Sequence, residues 1–120
     1  MPVKFRALAA LTMLAATPLQ AGERLAMRLT PMHAFEPATV SVTATVERDA
    51  QNRAMEIEAE STDFYRSSLV ALEGENAPRT TTVEFRGLPG GQYEIRTILV
   101  GSDGRPRASA TQDLDVISTR

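Results

Sequence analysis

Three glutamates that alternate along one short segment are the first candidates for chemistry. Glu56, Glu58 and Glu60 occupy every second position, and Asp63 follows them. In a strand such side chains lie about 7 Å apart on one face, so neighbouring carboxylates could share a Ca²⁺ ion only if loop carbonyl oxygens were added. No Asp-x-Asp-x-Asp loop is present in the sequence to supply them. The pattern therefore favours a solvated strand face paired with arginines on a neighbouring strand.

The adjacent residues Met32 and His33 are a second candidate, because thioether and imidazole ligands suit Cu(I). Met27 and Met55 would extend this soft-ligand set, but both fall on the apolar faces of predicted strands, where methionine fills the core. His33 is the only histidine, and the sequence has no Gly-x-Ser-x-Gly elbow to pair it with a nucleophilic serine. The residues predict no catalytic group, no bound metal and no cofactor.

The segment Phe64-Tyr65-Arg66 carries a third kind of chemistry, which is recognition of a partner. Aromatic residues and arginine are the types that anchor protein interfaces. Because successive side chains of a strand point to opposite faces, one of the two rings must face outward if this segment is a regular strand. Phe64, Tyr65 and Arg66 are therefore the predicted partner-binding residues.

The elements that must position these residues follow from the alternation of apolar and polar side chains, which predicts about seven short strands. They cover residues 25–30, 39–46, 55–60, 64–72, 80–86, 93–100 and 108–116. Residues 32–37 are expected to form a connection. Within 64–72 the inward positions are expected to be Tyr65, Leu69 and Ala71. The Asp103-Gly104 pair is expected to supply the positive φ angles of a hairpin turn.

Short strands with turn residues every 8–12 positions predict an all-β sandwich, since no segment offers a long amphipathic helix. Residues 88–95, LPGGQYEI, and the Asp-Gly hairpin that follows resemble the corner and last hairpin of bacterial immunoglobulin-like and fibronectin type III-like domains. The resemblance implies a single immunoglobulin-like β-sandwich of about seven antiparallel strands. It also implies that Tyr93 packs inward while its hydroxyl caps an upstream backbone group. It implies nothing about function.

The N-terminal residues have the pattern of a cleavable signal peptide. Lys4 and Arg6 precede an apolar run over residues 7–16, which is too short to span a bilayer, and a cleavage region ends at Ala21. The expected organisation is a signal peptide over residues 1–21 and one sandwich domain over residues 22–120. The expected location is periplasmic or secreted.

The composition of residues 22–120 limits the classes of partner. They hold 11 Arg, no Lys and 15 Asp or Glu, a formal net charge of −4, and the chain contains no Cys. Without a basic cluster, nucleic acid and anionic membranes are not expected as partners, and no membrane insertion is expected after cleavage.

These residues support one functional prediction and one alternative. The prediction is an exported binding or structural module that is not an enzyme, whose partner is another envelope or secreted protein. The alternative is a small periplasmic metal- or ligand-binding protein that uses Met32 and His33 or the face of Glu56–Glu60.

Overall fold

A computed structural model describes residues 25–119, and the predicted signal peptide lies outside these residues. The described chain forms eight strands and one short 3₁₀ turn at Gly74–Asn76. The strands are β1 Leu25–Thr30, β2 His33–Phe35, β3 Ala38–Val46, β4 Asn52–Glu60, β5 Tyr65–Ala71, β6 Thr80–Leu88, β7 Gly91–Gly101 and β8 Pro106–Ile117.

The strands form two sheets, which confirms the prediction of an all-β sandwich. One sheet has three strands in the order β1-β3-β6, and the other has five in the order β2-β8-β7-β4-β5. Neighbouring strands are antiparallel, except that β2 pairs with β8 in parallel through His33–Asp115, Ala34–Val116 and Phe35–Ile117. Residues 32–37 were expected to be only a connection. A three-residue strand between two prolines is too short to show a periodicity of its own.

The core lies between the sheets and follows the predicted alternation. In β3 the side chains of Val40, Val42, Ala44 and Val46 are buried. β4 contributes Met55 and β7 contributes Ile95, both with no exposed surface. The polar residues between them face solvent or the sheet surface, so each of these strands buries one face.

The corner between β6 and β7 has the expected tyrosine geometry. The Tyr93 ring is buried, and its hydroxyl donates a 2.7 Å hydrogen bond to the carbonyl oxygen of Pro89. The Phe64 ring meets the Tyr93 ring edge-on, with 6.1 Å between the centroids and 73° between the planes. The capping role that the resemblance implied for Tyr93 is confirmed.

The last hairpin differs from the expected two-residue turn. Only Gly104 of the Asp-Gly pair has a positive φ, at 79°. The loop is longer: Gly104 N–H donates to Gly101 O at 3.0 Å, and Gly101 N–H donates to Arg105 O at 2.9 Å. The Asp103 carboxylate accepts from Arg105 N–H, which fixes the turn without a positive φ at Asp103.

The predicted inward positions of β5 were wrong. Tyr65, Leu69 and Ala71 are exposed, whereas Val70 packs against the core and Leu72 is buried. Both alternating sets of this segment contain apolar residues, so periodicity alone could not choose between them. The pairing with β4 decides the register, because it places Leu69 beside Glu56 on the outer face.

Candidate protein-binding edge

Strand β5 ends the five-stranded sheet, with β4 on one side and no strand of the described residues on the other. At one end of the pairing, Leu72 N–H donates to Arg53 O at 2.8 Å; at the other, Ser61 N–H donates to Phe64 O at 2.8 Å. Because antiparallel bonds alternate along a strand, the even-numbered residues between these points bond to β4. The N–H and C=O groups of the odd-numbered residues therefore face the open side. These residues are Tyr65, Ser67, Leu69 and Ala71.

The same odd-numbered residues carry the outward side chains of β5. Leu69 is 71% exposed and Tyr65 is 56% exposed, which makes them two of the largest exposed apolar side chains in the described chain. Ser67 and Ala71 are also exposed. None of the four carries a charge. The edge thus combines available backbone groups with an apolar side-chain surface, and the two features belong to the same residues.

The Tyr65 ring is held in place by a short chain of polar contacts. Its hydroxyl donates to Glu58 Oε2 at 3.1 Å, and Arg96 Nη1 donates to Glu58 Oε1 at 3.0 Å. Donation to the Glu58 carboxylate raises the pKa of Tyr65 above its ordinary value. Both carboxylate oxygens of Glu58 are therefore engaged, one by the arginine that the favoured interpretation of Glu56–Glu60 expected and the other by a tyrosine.

The other two predicted partner-binding residues have different positions. Phe64 is half-buried against Tyr93. The Arg66 guanidinium lies 5.0 Å from the centre of the Phe64 ring, and its Nη1 donates to Arg86 O on β6 at 2.6 Å. Arg66 therefore joins the two sheets, the Phe64 ring lies beneath its guanidinium, and Tyr65 alone of the three lies on the outer face. Leu69 was not predicted, because its exposure depends on the register with β4.

Met32 and His33 lie at the opposite edge of the five-stranded sheet, beside an open cleft of about 740 Å³. His33 Nδ1 is 3.9 Å from Asp115 Oδ2. Four carboxylates share this cleft: Glu60, Glu94, Asp113 and Asp115. Within residues 25–119, however, no three His, Cys, Asp or Glu side chains are placed to hold a metal ion. Met27 and Met55 are not part of this cleft, since Met55 is buried and Met27 Sδ accepts from Thr97 Oγ1 at 3.0 Å.

Residues 25–119 contain no helix with the length and hydrophobicity that a bilayer crossing requires.

Among the comparisons with known proteins, only the one with solved structures found matches, and these matches show the fold. No protein-family model matches the sequence, and no curated protein matches it. Among solved structures, the superoxide reductase (neelaredoxin) from Ignicoccus hospitalis is 13% identical, with a TM-score of 0.62 over 78% of this chain and 80% of that chain. The fibronectin(III)-like modules of Clostridium thermocellum CbhA are 13% identical, with a TM-score of 0.50 over 80% of this chain and 99% of that chain.

A third similar structure is part of a larger protein. A family 76 glycoside hydrolase from a bovine Bacteroides thetaiotaomicron strain is 14% identical, with a TM-score of 0.55 over 77% of this chain and 20% of that chain. The sandwich therefore occurs both as most of a small protein and as a minor part of a large one. Such structural similarities identify the architecture, and the function has to be argued from the residues of the site.

The superoxide reductase comparison corrects the prediction that the chain is not an enzyme. That prediction relied on the scarcity of acid–base residues, yet an enzyme has the same fold. A redox metal centre needs several nitrogen, sulfur or oxygen ligands around one ion. His33 is the only histidine, the chain has no cysteine, and residues 25–119 bring no three suitable donors together. These residues do not fit such a centre, so no catalytic step is derived from the likeness.

Proposed function

We propose that this chain is an exported module that binds an extended segment of another exported protein along strand β5. The observation that supports the proposal is that Tyr65, Ser67, Leu69 and Ala71 direct their backbone N–H and C=O groups to the open side of the sheet and their uncharged side chains to its outer face. An incoming strand would gain a ladder of main-chain hydrogen bonds along this edge.

Side chains would supply the selectivity that backbone bonds lack. In strand addition, every second side chain of the incoming strand lies beside an outward side chain of the receiving edge. Here those neighbours are an aromatic ring, a hydroxyl and a leucine. Because the Tyr65 ring is already held by Glu58, little of its freedom would be lost on binding. A strand with apolar residues at alternate positions fits this edge.

Export and the immunoglobulin-like assignment are parts of the same proposal. Lys4, Arg6 and the apolar run 7–16 support a signal peptide. The buried Tyr93 and its bond to Pro89 O support an immunoglobulin-like or fibronectin type III-like sandwich, as does the likeness to the CbhA modules. The acidic balance of residues 22–120 favours a protein partner over nucleic acid or an anionic membrane.

A proline substitution tests the proposal directly. Ser67→Pro removes an N–H that faces the open edge, and proline is tolerated on edge strands when that N–H has no partner. The matched control is Thr82→Pro on β6: Val46 N–H donates to Arg79 O, so the N–H of Thr82 also faces away from its neighbour β3. Both variants should keep a cooperative melting transition.

The readout is association with envelope or secreted proteins, followed by mass spectrometry of what is retained. The wild-type protein and Thr82→Pro should retain the same partner, and Ser67→Pro should lose it. Retention of that partner by folded Ser67→Pro would overturn the β5 proposal.

A further inference from the structure

Within residues 25–119 each sheet ends in two strands, and three of these four terminal strands carry features that hinder pairing with another chain. Natural sheets block their edges with proline, charge, short strands or covering side chains. Strand β2 has only three residues and lies between Pro31 and Pro37, which cannot donate hydrogen bonds. On β1, Gln112 Nε2 covers the Met27 carbonyl oxygen at 3.1 Å.

Strand β6 is the third hindered edge. The Arg66 side chain covers the Arg86 carbonyl oxygen, and a charged pair lies on this strand, with Arg86 Nε donating to Glu84 Oε1 at 2.7 Å. Strand β5 has none of these features. It has seven residues and no proline, and its only charged residue, Arg66, reaches toward the other sheet.

We infer that β5 pairs antiparallel with β5 of a second copy of this chain, so that the two five-stranded sheets become one continuous sheet. The inference rests on the proposed function, and it identifies the exported partner of β5 as a second copy of this chain. In this arrangement a two-fold axis passes through Ser67, which lies opposite Ser67 of the other copy. Tyr65 lies opposite Leu69, and Leu69 opposite Tyr65.

The hydrogen-bond pattern of β5 suits this symmetry. A residue on a two-fold axis can exchange both of its backbone bonds with its own copy only if its N–H and C=O face the axis. Ser67 meets that condition because the even-numbered residues bond to β4. Tyr65 and Leu69 lie two positions to either side, so they also bond as a pair. The register satisfies the backbone and places an aromatic ring beside a leucine, a favourable cross-strand pair.

The acidic charge of the protein does not oppose this pairing. The outward side chains of β5 are uncharged, so no like charges lie opposite each other across the new seam. The nearest outward carboxylates are on β4, and those of the two copies would be three strand spacings apart, about 14 Å. That distance exceeds the screening length of about 8 Å at physiological salt. Arg96 also bonds Glu58 within each copy.

Cysteine cross-linking tests the axis, because the chain has no cysteine of its own. Facing residues of a hydrogen-bonded antiparallel pair have Cα atoms about 5.5 Å apart, a separation that a disulfide spans. Ser67→Cys should form a covalent dimer on mild oxidation. The control is Ser109→Cys, an exposed serine on β8, which is separated from β5 by β7 and β4. Ser67→Cys should cross-link at least about tenfold faster, because pairing raises the effective thiol concentration.

The register has its own test. Tyr65→Cys and Leu69→Cys should each fail to cross-link alone, because their copies would be four residues apart along the seam, and should cross-link when the two variants are mixed. Sedimentation of the wild-type protein should show a dimer, and Ser67→Pro should be a folded monomer.

A wild-type monomer, or Ser67→Cys cross-linking no faster than Ser109→Cys, would overturn the inference. A monomer that still binds a different exported protein through β5 would leave the proposed function standing. A protein whose β5 edge associates with neither a second copy nor a partner would refute both.

Discussion

The Tyr93 hydroxyl donates a 2.7 Å hydrogen bond to the carbonyl oxygen of Pro89, four residues earlier in the chain. This bond closes the corner through which the chain passes from the three-stranded to the five-stranded sheet. The ring is only 2% exposed and contacts Phe64 edge-on, and burial raises the pKa of Tyr93. The corner therefore fixes the position of β7, the central strand of the sheet that ends at β5.

Substitutions at Tyr93 should lower stability in two steps. Tyr93→Phe removes the hydrogen bond alone and should cost about 1 kcal/mol of unfolding free energy. Tyr93→Ala also removes the buried ring and should cost about 3–5 kcal/mol, measured by urea denaturation. Tyr65→Ala is the control and should change the unfolding free energy little, because that ring is on the surface. A greater loss from Tyr65→Ala than from Tyr93→Ala would refute this assignment of core and surface.

A second prediction concerns acid stability, through Glu36. Its carboxylate accepts from Gly90 N–H at 2.7 Å and from Thr119 N–H at 3.1 Å, which ties the end of β8 to the tyrosine corner. The Thr119 and Gly90 backbone bonds lower the pKa of Glu36. Because the pKa of Glu36 is lowered in the folded state, its carboxylate stabilises the fold at pH values above the ordinary pKa of 4.5. This stabilisation is lost as the pH falls through the lower pKa of the folded state.

The melting temperature should therefore fall on acidification more steeply for the wild-type protein than for Glu36→Gln, whose side chain does not titrate. The difference between the two proteins should be largest above pH 4.5 and shrink below it. Parallel curves down to acidic pH would show that these contacts do not stabilise the charged carboxylate.

A third prediction concerns Asn52, one of two buried polar residues among the described residues. Its Nδ2 donates to Glu47 O at 3.0 Å, and its Oδ1 accepts from Arg107 Nη1 at 2.6 Å. Asn52→Ala should cost about 1–3 kcal/mol, because it removes the donor to the part-buried Glu47 carbonyl oxygen and leaves Arg107 with Asp49 as its remaining acceptor. Asn52→Ala combined with Arg107→Ala should cost less than the sum of the single changes. Additive costs would show that the two side chains act independently.

A fourth prediction separates the two adjacent rings. Phe64→Ser should lower the melting temperature, because Phe64 contacts Tyr93 and supports the Arg66 guanidinium. Tyr65→Ser should leave the melting temperature nearly unchanged and weaken association through β5. If Tyr65→Ser unfolds the protein, or Phe64→Ser alone abolishes association without loss of stability, the roles of these rings are reversed.

The sequence predicted most strands because their alternation has one clear solution. In β3, the set of Val40, Val42, Ala44 and Val46 is apolar and the intervening set is hydroxylated, so only one face can be buried. The tyrosine corner was predictable because Pro89, Gly90 and Tyr93 have a characteristic spacing.

The candidate site was only partly predictable, because it depends on pairing across the sheet. Both faces of β5 contain apolar residues, and the pairing of Glu60 with Tyr65 decides which ring is outside. That β5 is an edge depends on the strand order, which no local pattern contains. Strand β2 escaped detection for a similar reason, since its pairing with β8 joins residues far apart in the sequence.

Amide hydrogen exchange along β5 tests the binding role of this edge most directly. The N–H groups of Arg66 and Ser68 bond to β4 and should exchange slowly in every state, whereas those of Tyr65, Ser67 and Leu69 face the open edge. In the associated protein these three amides should slow by about tenfold or more, and in Ser67→Pro those of Tyr65 and Leu69 should stay fast. Fast exchange at all three amides in the associated wild-type protein would contradict strand addition at β5.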